Sequence, residues 1–249
     1  MKEREASTVS FDPRGRIIFA LDVPNTGDAL RYARLLKDHV GVFKVGLELF
    51  VSAGPEVVKA VHDYAGCGVF LDLKFHDIPA TVIGAMRSAS GLGVRFATVH
   101  TSDGASLLRA AVEAAAGVKV LGVTVLTSLG QADLAEAGID PAYKEPLDLV
   151  LHRARLAKES GCAGVVCSGR EASAVRKTCG KDFVIVTPGI RGKDDHAGDQ
   201  RRVVTAYDAV KNGADYVVVG RPIRDAKDPQ KAAGRIASEI ERAHREMGG

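Results

Sequence analysis

The sequence predicts a single (β/α)8 TIM barrel whose active site lies at the C-terminal ends of the strands. Three observations carry this. Short β-branched runs alternate with helical patterns from residue 17 to the last residues, and there are eight of them. The chain has 249 residues, close to the ~250 typical of that barrel. Its apolar mass is Val, Leu, Ile and Ala, with no Trp, which suits parallel strands covered by helices on their outer face. A doubly wound parallel sheet shares the alternation. However, no GxGxxG follows the first run, and the set of eight is even and complete.

The strands are expected at Ile17–Asp22, Val42–Val45, Val69–Lys74, Arg95–His100, Val118–Leu126, Gly164–Cys167, Phe183–Thr187 and Tyr216–Val219. Helix signals fall between them. Thr26 is placed to cap the first helix, and Pro55 follows Gly54 at the opening of the second. Ser102 or Asp103 caps the fourth. Pro146 opens a segment with Leu147, Val150, Leu151, Ala154 and Ala157 on one face, ending at Gly161. Asn212-Gly213 closes a later helix, and Asp228-Pro229 opens the last. The long interruptions are Gln131–Glu145 and Pro188–Arg202.

Composition excludes several classes. Hydrophobic residues make up 46% and charged residues 26%, enough apolar material for a sizeable core. The net charge of +3 comes without a basic block or an aromatic-basic stripe, so no nucleic-acid surface is expected. Residues 1–15 read as a polar tail without the apolar core of a signal peptide, and 16–249 as one barrel domain. No apolar run approaches the ~20 residues that span a bilayer, and a cytoplasmic protein with no membrane partner is expected. Cys67, Cys162, Cys167 and Cys179 form no CxxC pair and read as reduced thiols. The seven histidines show no HExxH or comparable spacing, so no metal is expected.

Barrel sites form where strands end. Here the first strand ends at Asp22, the second carries Lys44, and the third runs Asp72-Leu73-Lys74-Phe75-His76-Asp77. Strand alternation puts Asp72 and Lys74 on one face and Leu71, Leu73 and Phe75 on the other. Lys44 likewise opposes Phe43 and Val45. With the apolar face against the helices, Asp22, Lys44, Asp72 and Lys74 converge on the barrel mouth. Charges so placed are costly to bury unless paired, and an alternating Lys/Asp set meets that condition. An ion-pair network that merely closes the barrel top is the bland alternative.

A second constellation follows strands seven and eight. Pro188-Gly189-Ile190-Arg191-Gly192 comes after one, and Gly220-Arg221-Pro222 after the other. Barrels often bind phosphate at these two loops through glycine N–H groups, and Arg191 and Arg221 add bidentate partners. The two sites imply a phosphorylated small molecule whose reacting end meets a Lys/Asp cluster. The glycine-containing loop after strand seven is a candidate lid.

The segments FALDVP, FKVGLELF, FLDLKFHDIPATV, VTVLTS, VTPGIR, GDQRR and VVVGRPI together resemble the orotidine 5′-phosphate decarboxylase family over nearly the whole chain from Ile17. The resemblance implies that Lys74 is the lysine that protonates the ring carbon, and that Asp72 lies beside the departing carboxylate. It also implies that Lys44 and Asp77 complete the charged array, with Asp77 and Thr81 reaching the neighbouring subunit's site in a homodimer. Asp22 matches a ribose-binding aspartate and Thr127 a pyrimidine contact, with Ser128 beside it. Arg191, Gln200, Gly220 and Arg221 match the phosphate grip and its lid, and Pro188 is expected among the substrate-binding residues.

The implied reaction turns orotidine 5′-phosphate into UMP and carbon dioxide with no cofactor, in the last step of UMP synthesis. Two rivals remain open at this point. One is a metal-dependent sugar-phosphate decarboxylase or isomerase of the same superfamily, which would want an acidic ligand where Lys44 stands, although Glu48 is near. The other is a non-catalytic pyrimidine-nucleotide-binding barrel.

Overall fold

The structure, a computed structural model, describes residues 11–143, 145–192 and 202–248. A 3-10 turn at Pro13–Arg16 precedes β1 (Ile17–Ala20), which leads to α1 (Thr26–Leu36). Then come β2 (Val42–Gly46), a short α2 (Leu47–Ala53) and α3 (Glu56–Ala65), followed by β3 (Gly68–Phe75) and α4 (Pro79–Gly91). Next are β4 (Phe96–His100) with α5 (Gly104–Ala114), and β5 (Lys119–Val123) with α6 (Gln131–Glu136) and α7 (Pro146–Glu159). The remaining elements are β6 (Gly164–Val166), α8 (Ala172–Cys179), β7 (Val184–Thr187), α9 (Ala206–Lys211), β8 (Tyr216–Val219), α10 (Arg221–Arg224) and α11 (Pro229–Glu246).

All eight predicted strands are present. Each pairs in parallel with the next, and β8 pairs with β1 to close the barrel. The period-2 pattern divides the core in two, as expected for a sheet buried on both faces. Ile18, Ala20, Val42, Phe70, Phe96, Leu121, Val186 and Val218 pack inside the barrel. Ile17, Phe19, Phe43, Val45, Val69, Leu71, Val217 and Val219 face the helices. Phe96 lies edge-on to Phe70 and Tyr216, with ring centroids 6.0 and 5.4 Å apart, so the interior is filled by packed rings rather than left as a pore.

The helix boundaries follow local chemistry with small corrections. Asn25, not Thr26, caps α1, its Oδ1 accepting the Asp28 N–H at 2.9 Å. Asp103 holds the N-cap position of α5 but makes no capping bond there, because its carboxylate turns to His76 Nε2 at 3.0 Å. In α7 the buried side is Leu149, Val150, Ala154 and Ala157, while Leu147 in the first turn is exposed. The stripe is therefore rotated by part of a turn from the one the spacing suggested. Asp228 caps α11 through the Lys231 N–H at 3.0 Å, with Pro229 in the first turn.

The closest interstrand approach at a glycine is at Gly164, paired with Val184. A Cβ there would lie 2.1 Å from the Val184 carbonyl oxygen and 2.6 Å from its Cβ. Neither atom can move without shifting a barrel strand. Gly164→Ala is expected to lower unfolding free energy by about 3 kcal/mol, the upper end for overpacking, seen as a lower denaturant midpoint.

Candidate active site

The inner face of the barrel changes from apolar to charged toward the strand ends. Two residues beyond the inward Val42 and Phe70, on the same face, come Lys44 and Asp72, and Asp22 follows β1. The four charges form a chain. Lys44 Nζ donates to Asp22 Oδ1 at 2.8 Å and lies 3.9 Å from Asp72 Oδ2, and Lys74 Nζ donates to Asp72 Oδ1 at 3.0 Å. Lys44 is 8% exposed, so its pairing with two carboxylates answers the cost of burying an ammonium.

The glycine at the end of β2 makes room for this. A Cβ on Gly46 would lie 2.7 Å from Lys44 Nζ and 3.2 Å from Asp22 Oδ1. Gly46→Ala is expected to leave the fold intact, because only the flexible end of Lys44 must move. The displaced ammonium is expected to lower kcat at least ten-fold, since reacting groups misplaced by an ångström lose far more rate than stability. A thermal melt beside a kinetic assay separates the two effects.

These charges line a cavity of about 550 Å³ at the barrel mouth, within the range for small-molecule sites. Its walls bring together Asp22, Lys44, Asp72, Lys74, Thr127, Ser128, Pro188, Arg191, Gly220 and Arg221, all expected from the sequence. Gln200, and with it most of the candidate lid, lies outside the described residues. Asp77 and Thr81 stay out of the cavity: both are exposed, and Asp77 Oδ1 accepts the Ile78 N–H at 2.6 Å. Arg191 is 8% exposed and its Nη1 donates to the Ile190 carbonyl at 2.7 Å, which aims the guanidinium from the end of the β7 loop. The chain after that loop is pinned by Arg202, which pairs with the buried Glu171 and donates to the carbonyls of Val125 and Leu126 at 3.1 and 2.8 Å. Both Arg191 and Thr127 are thus held on segments tied to one another.

Two residues of the site were not anticipated. Arg224, one turn beyond Arg221, lines the cavity and donates to the Asp22 carbonyl at 2.8 Å, steadying the end of β1. Thr98, fully buried in β4, donates to Asp72 Oδ1 at 3.0 Å. Its signal was present in the sequence: it lies two residues past the inward Phe96, on the same face. Cys167 also lines the cavity, and burial pushes its thiol pKa up, which disfavours the thiolate form. All four cysteines are free.

The lining carries five cationic side chains, Lys44, Lys74, Arg191, Arg221 and Arg224, against two carboxylates, Asp22 and Asp72. The cavity therefore favours a multiply anionic ligand. Fold and site together define a (β/α)8 barrel with an anion-receiving mouth and a paired Lys/Asp array anchored by the buried Lys44.

Residues 15–236 match the model of the orotidine 5′-phosphate decarboxylase / HUMPS family. The orotidine 5′-phosphate decarboxylase of Desulfosudis oleivorans is 50% identical over 236 residues, covering 93% of this chain and 95% of that protein. The Syntrophus aciditrophicus protein of the same name is 48% identical over 238 residues, covering 91% and 93%. The crystal structure of orotidine 5′-phosphate decarboxylase from Lactobacillus acidophilus superposes with a TM-score of 0.78 at 36% identity, covering 90% of this chain and 98% of that one. The chain belongs to the orotidine 5′-phosphate decarboxylase / HUMPS family.

Proposed function

We propose that this protein decarboxylates orotidine 5′-phosphate to UMP and carbon dioxide without metal or cofactor. The observation that carries the reading is the Asp22–Lys44–Asp72–Lys74 chain at the same cavity as Arg191, Gly220 and Arg221. The cavity's cationic excess matches a substrate that carries both a phosphate and a carboxylate. Its relatives' names point the same way.

Asp22 meets the ribose, Thr127 and Ser128 the pyrimidine, and Pro188, Arg191, Gly220 and Arg221 the phosphate, with Gln200 assigned there from the sequence alone. The bond from the ring carbon to the carboxylate breaks heterolytically, carbon dioxide leaves, and the electron pair stays in the plane of the ring, where it cannot delocalise. Lys74 stabilises that pair as an ammonium and then delivers a proton to it, forming UMP; solvent restores the proton to Lys74. Two unit charges at ~4 Å interact by about 4 kcal/mol at an effective dielectric near 20, or roughly a thousand-fold in rate. That is too little for a large acceleration by itself. The balance comes from binding at the phosphate end, which fixes the substrate against an array already in place.

The metal-dependent alternative meets an obstacle at the end of β2. Where it needs an acidic ligand there is the Lys44 ammonium, and Glu48 is exposed on α2, outside the cavity lining.

The proposal includes a homodimer in which Asp77 and Thr81 serve the second copy's site. Both are exposed in the segment after β3, and the segments that follow the neighbouring strands β2 and β3 expose Leu47 (56%), Val51 (81%) and Ile78 (66%), apolar side chains that a second copy would cover. We read residues 16–249 as one catalytic domain and place the protein in the cytoplasm, in keeping with four free cysteines. Among the described residues no helix is long and apolar enough to cross a membrane.

Adding orotidine 5′-phosphate to purified protein in chelator and following the orotate ultraviolet absorbance tests the reading. Rapid loss with UMP as product is the expected result. Turnover that appears only after a divalent metal is supplied would favour the sugar-phosphate branch of the family, and tight UMP binding without turnover would favour a binding protein.

A further inference from the structure

We propose that Thr98 is a positioning residue for the Lys74–Asp72 pair, its hydroxyl taking the place of the strand pairing that β3 loses between Leu71 and Phe75. The inference rests on the decarboxylase reading for its kinetic consequences, and on geometry alone for the hydrogen bonds. β3 and β4 run in register through Phe70–Phe96 and Leu71–Ala97, and pairing resumes only at Phe75–Val99. Four steps along β3 thus match two along β4, and the excess holds the two residues that carry the chemistry, Asp72 and Lys74. Lys74 also adopts a left-handed backbone conformation, φ 52°, which a side chain larger than glycine's holds only where its surroundings enforce it.

Thr98 is the enforcing contact. The Lys74 N–H donates to Thr98 Oγ1 at 2.9 Å, and Thr98 Oγ1 donates to Asp72 Oδ1 at 3.0 Å. The polarity has one solution, because an amide N–H only donates and a carboxylate only accepts, while a hydroxyl does both. Lys74 Nζ reaches the same Asp72 oxygen at 3.0 Å. One fully buried hydroxyl therefore ties the backbone of the lysine to the carboxylate that its own ammonium pairs with. Thr98 does not itself line the cavity but bonds to two residues that do, so it acts through Lys74 and Asp72. Removing the hydroxyl leaves a buried N–H unpaired, releases the strained turn at Lys74 and takes one donor from Asp72.

The test compares Thr98→Val, Thr98→Ser and Thr98→Cys with the wild type in orotidine 5′-phosphate turnover and UMP binding. Thr98→Val keeps the volume and is expected to lower kcat roughly 100-fold, the scale of an ångström's misplacement. Its KM and UMP Kd are expected to stay within about three-fold, because the phosphate contacts are untouched. Thr98→Ser recovers most of kcat, and Thr98→Cys, a weak donor and acceptor, falls between them. A Thr98→Val kcat within about three-fold of wild type, a loss confined to KM, or a Thr98→Ser as impaired as Thr98→Val overturns the proposal. If Thr98→Val does not fold, equal kcat for the Ser and Cys variants overturns it and a lower value for Cys supports it.

Hydrogen exchange of the Lys74 amide gives a reading that needs no turnover. Protection in the wild type and in Thr98→Ser, lost in Thr98→Val or Thr98→Cys, supports the tie; an unprotected wild-type amide overturns it. A wild type that binds UMP but never turns over orotidine 5′-phosphate sinks the decarboxylase reading alone.

Discussion

Lys74→Ala is expected to lower kcat for orotidine 5′-phosphate by roughly five orders of magnitude, from two losses that compound. In the proposed mechanism the Lys74 ammonium, held 3.0 Å from Asp72 Oδ1, stabilises the in-plane carbanion. It is also the proposed proton donor, and general-acid catalysis typically contributes about 10²- to 10⁴-fold. The proposed phosphate grip lies at the ends of β7 and β8, away from β3, so UMP affinity is expected to change by less than about ten-fold. Following orotate absorbance for turnover and titrating UMP by calorimetry separates the two. Parallel collapse of kcat and UMP binding would mean that Lys74 maintains the site rather than acts in it.

The second large effect is a gain. Lys74→Ala and Asp77→Ala are each expected to be nearly inactive. A heterodimer carrying one of each, isolated through two affinity tags, is expected to recover about half of the wild-type turnover per chain, because a two-fold interface assembles one intact site and one doubly damaged site. The expectation rests on the family resemblance, and the placement of Asp77 accords with it. Its carboxylate is exposed and turned to the Ile78 N–H, while the Asp22–Lys44–Asp72–Lys74 array closes without it. A purified heterodimer without recovered activity would place Asp77 in its own chain's site.

Much of this site was legible before any coordinates, and the parts that were not have physical reasons. Strand periodicity reports which face a side chain takes, so the inward turn of Lys44 and Asp72 could be read from Phe43, Val45, Leu71 and Leu73 around them. The same periodicity says nothing of register. The slip that leaves Asp72 and Lys74 unmatched by β4, and the left-handed turn at Lys74, depend on two strands at once. Thr98 went unremarked for that reason: a threonine in a strand is ordinary until the partner's missing rung is seen. Arg224 was hidden by its neighbour Arg221, since only the one-turn helix α10 reveals that both face the mouth. The expected caps and faces erred where side chains had a choice, as with Asn25 over Thr26 and Leu149 over Leu147. Asp77 and Thr81 could not be read from pattern at all, because in a single chain they are surface residues; only the family resemblance singled them out.

The most direct test of the central claim, that Lys74 protonates a carbanion left by carbon dioxide in a metal-free site, is turnover of orotidine 5′-phosphate in D₂O with chelator present. UMP carrying one deuterium at the ring carbon that lost the carboxylate, formed in step with carbon dioxide, is the expected product, because the lysine's protons exchange with solvent before each turnover. UMP formed without that deuterium, or no UMP until a metal is added, would contradict that claim.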